Sequence, residues 1–233
     1  MTVLIIICIV LTILGFLVWA SASIRSGVYL KAFCREDTEE KVVYLTFDDG
    51  PADSTPAVLD VLRERGARAT FFIIGTNIAG RERIVRRIID EGHGIGIHSW
   101  SHSDTFPLYS SARMTEDIMR CRSALGHIAG RGIALFRPPF GVVNPTVARV
   151  VRRCGLCTVG WNIRSFDTMR CSTPDWQEDT IRRVMGRLKP GSVILLHDRL
   201  PAAPALLNVL LDRLSAAGYA FDRPLPSDSS SRT

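Results

Sequence analysis

Apolar residues run from Val3 to Ala20 with only Thr12 and Gly15 as soft interruptions, and beyond residue 40 short apolar runs alternate with amphipathic stretches. The first run has the length of one membrane-spanning helix. Ala20-Ser21-Ala22 resembles a signal-peptide cleavage site, yet the apolar core is longer than a signal core and no Lys or Arg precedes it, so a retained anchor is the better reading. Arg25, Lys31 and Arg35 follow the run, and the positive-inside rule would then favour the cytoplasmic side for the rest of the chain. The later apolar runs predict strands at Val42–Phe47, Arg68–Ile74, Gly94–His98, Ile133–Arg137, Leu156–Trp161, Val193–His197 and a short Tyr219–Phe221. Thr55-Pro56 supplies the cap and first-turn proline of one helix, with Val58, Leu59 and Leu62 as its buried stripe and Gly66 at its end. Thr173-Pro174 opens another, with Ile181, Val184, Met185 and Leu188 on its apolar face. This alternation predicts an α/β fold of parallel strands covered by helices, closed as a barrel or open as a doubly wound sheet. Seven strands favour an irregular (β/α)7-type barrel behind one N-terminal transmembrane helix.

The pattern divides the chain into an anchor at 1–22, a polar linker at 23–40, one domain at 41–222 and a tail at 223–233. The domain, about 180 residues, is large enough for a single core. The tail carries Pro224, Pro226 and a Ser-rich end and reads as disordered. A net charge of +6 is spread over helical faces such as Arg81, Arg83, Arg86 and Arg87, the usual pattern of solvated faces. No nucleic-acid module is evident, and nothing calls for an obligate protein partner. Cys8 lies in the apolar run, and Cys34, Cys121, Cys154, Cys157 and Cys171 form an odd set that gives no clean vote on redox compartment. Cys154-Gly155-Leu156-Cys157 has no second pair, which argues against a zinc ribbon and for small buried residues at a helix-to-strand turn.

Candidate chemistry collects at the C-terminal ends of the predicted strands, where folds of this kind assemble their sites. Asp48 and Asp49 follow the first strand, and two adjacent acids there are costly to desolvate unless a cation shares the site. His98 ends the third strand with His102 just beyond, Arg137 ends the fourth, Asp167 follows the fifth, and His197 ends the sixth. Asp49 with His98 and His102 offers one oxygen and two nitrogens, a normal ligand set for catalytic zinc with positions left open. His93, at a Gly-His-Gly turn, and His127, late in a helix, lack this context and read as structural.

Thr46-Phe47-Asp48-Asp49-Gly50-Pro51, His98-Ser99-Trp100-Ser101-His102, Arg137-Pro138-Pro139-Phe140-Gly141, the segment around Asp167, and Leu195-Leu196-His197 resemble, in order, the five motifs of the NodB-homology polysaccharide deacetylases, carbohydrate esterase family 4. The resemblance covers nearly all of the domain. It implies a divalent metal, zinc before cobalt or nickel, held by Asp49, His98 and His102. It implies Asp48 as general base, Arg137 as the arginine orienting it, His197 as general acid and Asp167 as the carboxylate that orients His197. The backbone amide of Phe140 would help bind the oxyanion, and Leu195 would line the acetyl pocket. The fourth motif departs from the family's usual Asp-x-x-Asp-Trp, because Arg164 stands in place of its first Asp and Thr168 in place of its Trp. Thr168 therefore lies where a flat apolar wall is expected, which should change the acyl group or sugar that fits. The expected activity is removal of N-acetyl groups from amino-sugar units of peptidoglycan or another GlcNAc-containing glycan, by a single-pass membrane protein of a bacterial cell envelope. The rivals are an O-acetyl esterase or deformylase acting on a glycan or glycolipid and, in a different class, a silent glycan-binding module.

Overall fold

Seven parallel strands organise the domain. In a computed structural model that describes residues 1–169 and 173–226, they are β1 (Val43–Gly50), β2 (Ala69–Ile73), β3 (Gly94–Ile97), β4 (Leu135–Phe136), β5 (Cys157–Thr158), β6 (Ile163–Arg164) and β7 (Ser192–His197). The helices are α1 (Thr2–Ala22), α2 (Thr55–Glu64), α3 (Glu82–Asp90), α4 (Ser111–Ala129), α5 (Pro145–Arg153), α6 (Trp176–Met185) and α7 (Ala203–Ala216). The strand order is β5-β4-β3-β2-β1-β7-β6. That is the circular order of a (β/α)7 barrel cut between β5 and β6, whereas a doubly wound sheet reverses direction partway across. The irregular barrel is therefore the fold, as a curled half-barrel.

Two strand expectations need correction. Tyr219–Phe221 forms no strand: Ala220 makes one isolated bridge, to Val42, and the Phe221 carbonyl accepts from the Arg68 amide. The seventh strand is instead β6, two residues long, which is too short for any hydrophobic periodicity to register. Asp167 thus follows the sixth strand and His197 closes the seventh. Thr55 is the first helical residue of α2 and not its cap, and its hydroxyl donates to the Asp198 carboxylate.

The strand faces separate two apolar layers. On β1, Val43, Leu45 and Phe47 join the large cluster with Val58, Leu59 and Leu62 of α2 and Leu206, Leu207 and Leu210 of α7. Tyr44 on the alternate face joins a smaller cluster with Phe72, Leu135, Val159 and Val193. Further along that alternate face come Thr46 and then Asp48, so the polar site continues the small cluster toward the strand ends.

The cut in the barrel is stitched by the segment between α1 and β1. Phe33 pairs with Val159 just past β5, while Arg35 bridges Ser192 and Glu36 donates to the Gly191 carbonyl at the start of β7. A side chain at Gly160 would run into Cys34 and Ile24, so a glycine is needed where this segment crosses. Residues 33–36 of the expected linker therefore lie on the domain. At the other end, Leu225 is buried and its amide donates to Thr70, so part of the expected disordered tail also packs; residues 227–233 lie outside the described residues. Helix α1, of 21 residues and mean hydropathy 3.1, is long and apolar enough to cross a membrane, and only Ala20 of it is buried.

Candidate active site

The site begins with a β-bulge. Register between β1 and β2 shifts between Asp48 and Gly50, and Asp49 adopts a positive φ of 74°. The extra residue breaks strand alternation, which lets two adjacent acids serve two different neighbourhoods. Five non-glycine residues have positive φ among the described residues, namely Asp49, Ser99, His102, Phe140 and Phe166, and all five lie on the rim formed by the strand ends. Backbone strain of this kind persists where surrounding structure fixes it, commonly at functional sites.

Asp48 points into the barrel. Its Oδ1 lies 2.7 Å from Nη1 of Arg137, a residue with no exposed surface. Nη1 also donates to Thr46 Oγ1, Nη2 to the Gly160 carbonyl and Nε to the Val159 carbonyl, so the guanidinium is held on four acceptors. Its Cζ lies 4.1 Å from the Phe72 ring centroid. Burial lowers the pKa of Arg137 while Asp48 opposes the shift, and an arginine so paired keeps its charge.

Asp49 faces the imidazoles. Its Oδ1 is 3.6 Å from Nε2 of His98 and 3.5 Å from Nε2 of His102, and these three ligand atoms lie within 4.8 Å of one another. Nδ1 of His98 sits 2.8 Å from the Arg137 carbonyl, an acceptor that assigns the ring proton to Nδ1 and leaves the Nε2 lone pair toward Asp49. Burial, with His98 beside it, lowers the pKa of His102 and favours the neutral, ligating form. Burial acts to raise the Asp49 carboxyl, but His98, His197, His102 and Arg199 outweigh it and hold the group below its ordinary value. These donors fit a divalent metal.

His197 stands across from Arg137. Its Nδ1 lies 2.8 Å from Asp167 Oδ1, and its own amide donates to Asp167 Oδ2. Ser165 Oγ donates to Oδ1 and accepts from the Asp167 amide, which fixes the carboxylate further. Burial alone would depress the His197 pKa, but the Asp167 hydrogen bond and charge reverse that and raise it. Of the other expected site residues, Phe140 sets its ring 4.8 Å from that of His102. Leu195 is buried on β7 in register with Thr46, and Thr168 is half-buried directly after Asp167. His93 is buried and accepts from the Ala69 amide, and His127 is exposed, so neither joins the site.

Several contributors escape sequence reasoning. Asp117 of α4 accepts from the Trp100 and Ser101 amides and so shapes the loop between the two histidines. Arg199 donates from Nε to Asp49 Oδ2 at 2.9 Å, leaving Oδ1 to the histidines; a basic residue two positions after His197 was the signal for it. Asp198 is fully buried with Oδ1 lacking a partner among the described residues, and burial pushes its pKa up to about 7. A cavity of ≈ 610 Å³ opens beside Asp49, lined by Asp53, Asn77, Arg81 and Arg199 among others.

The polysaccharide deacetylase family model matches residues 35–159, more than half of the chain. The chain belongs to that family. It is thus a NodB-homology member of carbohydrate esterase family 4. A chitooligosaccharide deacetylase of Azorhizobium caulinodans is 34% identical over 79% of this chain and 92% of the relative. A peptidoglycan-N-acetylglucosamine deacetylase of Listeria monocytogenes is 32% identical over 78% of this chain, which spans only 37% of that longer relative. The crystal structure of a polysaccharide deacetylase from Bacillus cereus superimposes with a TM-score of 0.75 at 32% identity, covering 82% of this chain and 94% of the other. The family match ends at Val159, so Asp48, Asp49, His98, His102 and Arg137 lie inside it and Asp167 and His197 beyond it.

Proposed function

We propose that this protein is a metal-dependent hydrolase that removes N-acetyl groups from amino-sugar units of a glycan, with peptidoglycan or another GlcNAc-containing polymer as the class indicated by its relatives' names. One observation carries the reading: the Asp49, His98 and His102 cluster is met by two oppositely built pairs, a carboxylate served by a permanent cation, with Asp48 Oδ2 3.8 Å from His98 Nε2, and an imidazole served by a carboxylate, with His197 Nε2 3.9 Å from Asp49 Oδ2.

Asp49, His98 and His102 would hold the ion, zinc first, with cobalt or nickel as chemically similar substitutes. When bound, it would supply Lewis acidity, polarising the amide carbonyl and easing deprotonation of the attacking water. Asp48 takes the proton from that water, and Arg137 keeps the carboxylate aimed. The Phe140 amide donates to the developing oxyanion. His197 gives its proton to the departing amine, and Asp167 keeps the ring oriented and charged until then. Leu195 and Thr168 border the acyl group. The products are a free amine and acetate. The same reading makes α1 a single membrane-spanning anchor, residues 41–222 the catalytic domain and the bacterial cell envelope its location.

The test uses purified full-length protein, with metal content measured by mass spectrometry and acetate release followed from chito-oligomers, peptidoglycan and acetylated xylan. Asp48→Asn should lose about 10²- to 10⁴-fold in rate, the usual contribution of a general base, while keeping its metal. Asp49→Asn should lose the metal itself. Full activity in both variants, or no acetate from any amide-bearing glycan, sinks the assignment.

A further inference from the structure

Helix α1 does not hang from the domain on a tether. Its terminal carbonyls are taken up by the fold: Ser26 Oγ donates to the Ala20 carbonyl at 2.8 Å, and the Val143 amide donates to the Ser21 carbonyl at 2.9 Å. Ala20 is fully buried, and Ile24 is buried against Gly160. A free polar spacer would let the domain roam over a distance set by its length. Here the chain docks within two residues of the helix end.

The docking point is on the catalytic rim. Val143 lies three residues after Phe140, so their Cα atoms are at most about 11 Å apart, and the Phe140 ring rests against metal-site His102. Asn144, next in sequence, donates from Nδ2 to the Pro107 carbonyl, which ties in the turn carrying Leu108. Leu108 is 83% exposed. Outside α1 and its N-cap Met1, the exposed large apolar side chains among the described residues are Val28, Leu108, Met119, Phe140 and Met169, and three of them, Leu108, Phe140 and Met169, sit on rim loops after β3, β4 and β6. The 21 residues of α1 span about 32 Å, enough to cross a hydrocarbon core of about 30 Å and emerge at the headgroups directly beside this rim.

We propose that the catalytic rim lies against the membrane surface, with Leu108 in the interfacial layer, and that the substrate is an amino-sugar unit attached to a lipid embedded in the same bilayer. This rests on the deacetylase reading and on α1 as an anchor, and it narrows both. With no slack between helix and domain, the site reaches sugars close to the headgroups and not polymer tens of ångströms away. Confinement of enzyme and substrate to one surface also raises their effective concentration. The reaction is unchanged: water cleaves the acetamide C–N bond, the amine gains a proton and acetate leaves.

The full-length protein in phosphatidylcholine–phosphatidylglycerol proteoliposomes tests this with two substrates, an N-acetylglucosaminyl alkyl glycolipid in the bilayer and chitotetraose in solution. The glycolipid should be turned over at least about tenfold more efficiently. Leu108→Asp should reduce glycolipid turnover several-fold and leave chitotetraose turnover unchanged. Added fluorescence from Leu108→Trp, relative to the parent, should be quenched by lipids brominated near the headgroup. Equal or better turnover of chitotetraose, an equal effect of Leu108→Asp on both substrates, or no quenching at position 108 overturns the proposal. So does conversion of a dimer to a monomer by Leu108→Asp, which would make the rim a contact between copies. If neither substrate releases acetate, the deacetylase reading itself falls, while the quenching still reports where the rim lies.

Discussion

Asp48 with Arg137 and Asp167 with His197 are both carboxylate–cation pairs, closed at 2.7 and 2.8 Å, and each reaches the metal-site cluster, Asp48 at His98 and His197 at Asp49. They differ in which partner is free to change. Arg137 is fully buried, cannot lose its proton and spends its donors on Thr46, Asp48, Val159 and Gly160, so the carboxylate is the member that can exchange a proton. On the other side Asp167 has no exposure and is fixed by Ser165 and the His197 amide, while the His197 side chain is 16% exposed and has its pKa raised. One geometry, inverted, would give a base on one flank and an acid on the other. The first flank lies within the family match and the second beyond it, where Arg164 and Thr168 depart from the usual motif.

The largest expected break falls on the buried flank. Arg137→Met leaves Asp48 without its counter-charge and deprives three further acceptors of a donor. Loss of one partner of a buried pair costs about 3–5 kcal/mol, and urea unfolding of the variant should show it together with near-background acetate release. Arg137→Lys should recover little, since one ammonium cannot reach acceptors spread around a planar fork. A loss under about 1 kcal/mol, the size expected of an exposed pair, would mean that the pair is not the structural centre of this flank.

The opposite flank should respond through pH more than through stability. The raised pKa of His197 places the alkaline limb of kcat/KM above the ordinary histidine range, because the protonated ring is the working form. Asp167→Asn removes the charge that helps raise it and one of the two acceptor oxygens, so the limb should move to lower pH and activity at neutral pH should fall. The linkage to folding has the same sign. The pair's contribution is complete below the unfolded histidine pKa and is lost as pH rises through the raised folded value, so the parent should lose stability over that window and Asp167→Asn should not. Coincident pH profiles for parent and variant would separate Asp167 from the protonation of His197.

The strand ends and the residues on them were legible because apolar runs closed by Asp, His and Arg leave a strong local trace. The barrel is favoured by a count of seven strands, one of which, Tyr219–Phe221, is not a strand, while β6 escapes the count. Four features left no such trace. The bulge at Asp49 is a property of register between β1 and β2, and nothing in Asp48-Asp49 says that the second acid steps out of line. Strand β6 is held by pairing with β7 and has no periodicity of its own. The segment at 33–36 reads as a polar linker, because its role is backbone pairing across the open seam and side-chain patterning does not record it. Asp117 acts from mid-helix through a loop's amides, a contact that is distant in sequence and invisible to any motif.

The smallest effect, and the one that most sharpens the contrast between flanks, concerns Trp176. The usual motif tryptophan is Thr168 here, but Trp176 at the start of α6 donates from Nε1 to the Asp167 carbonyl at 2.7 Å and is almost buried. It also lines a cavity of ≈ 310 Å³ with Phe166, Met169 and Arg183, so an indole braces the backbone beneath the orienting carboxylate from nine residues away. Trp176→Phe keeps most of the apolar bulk and removes one buried donor from the Asp167 carbonyl, a loss of about 1 kcal/mol. If that brace fixes Asp167, thermal unfolding should show the stability loss, and the alkaline limb of kcat/KM should move partway toward that of Asp167→Asn. If the indole only fills space, the stability loss should appear with the pH profile unmoved. Arg137 has four acceptors, none of which depends on a single distant side chain of this kind, so an equivalent partial response should be absent from the Asp48 flank.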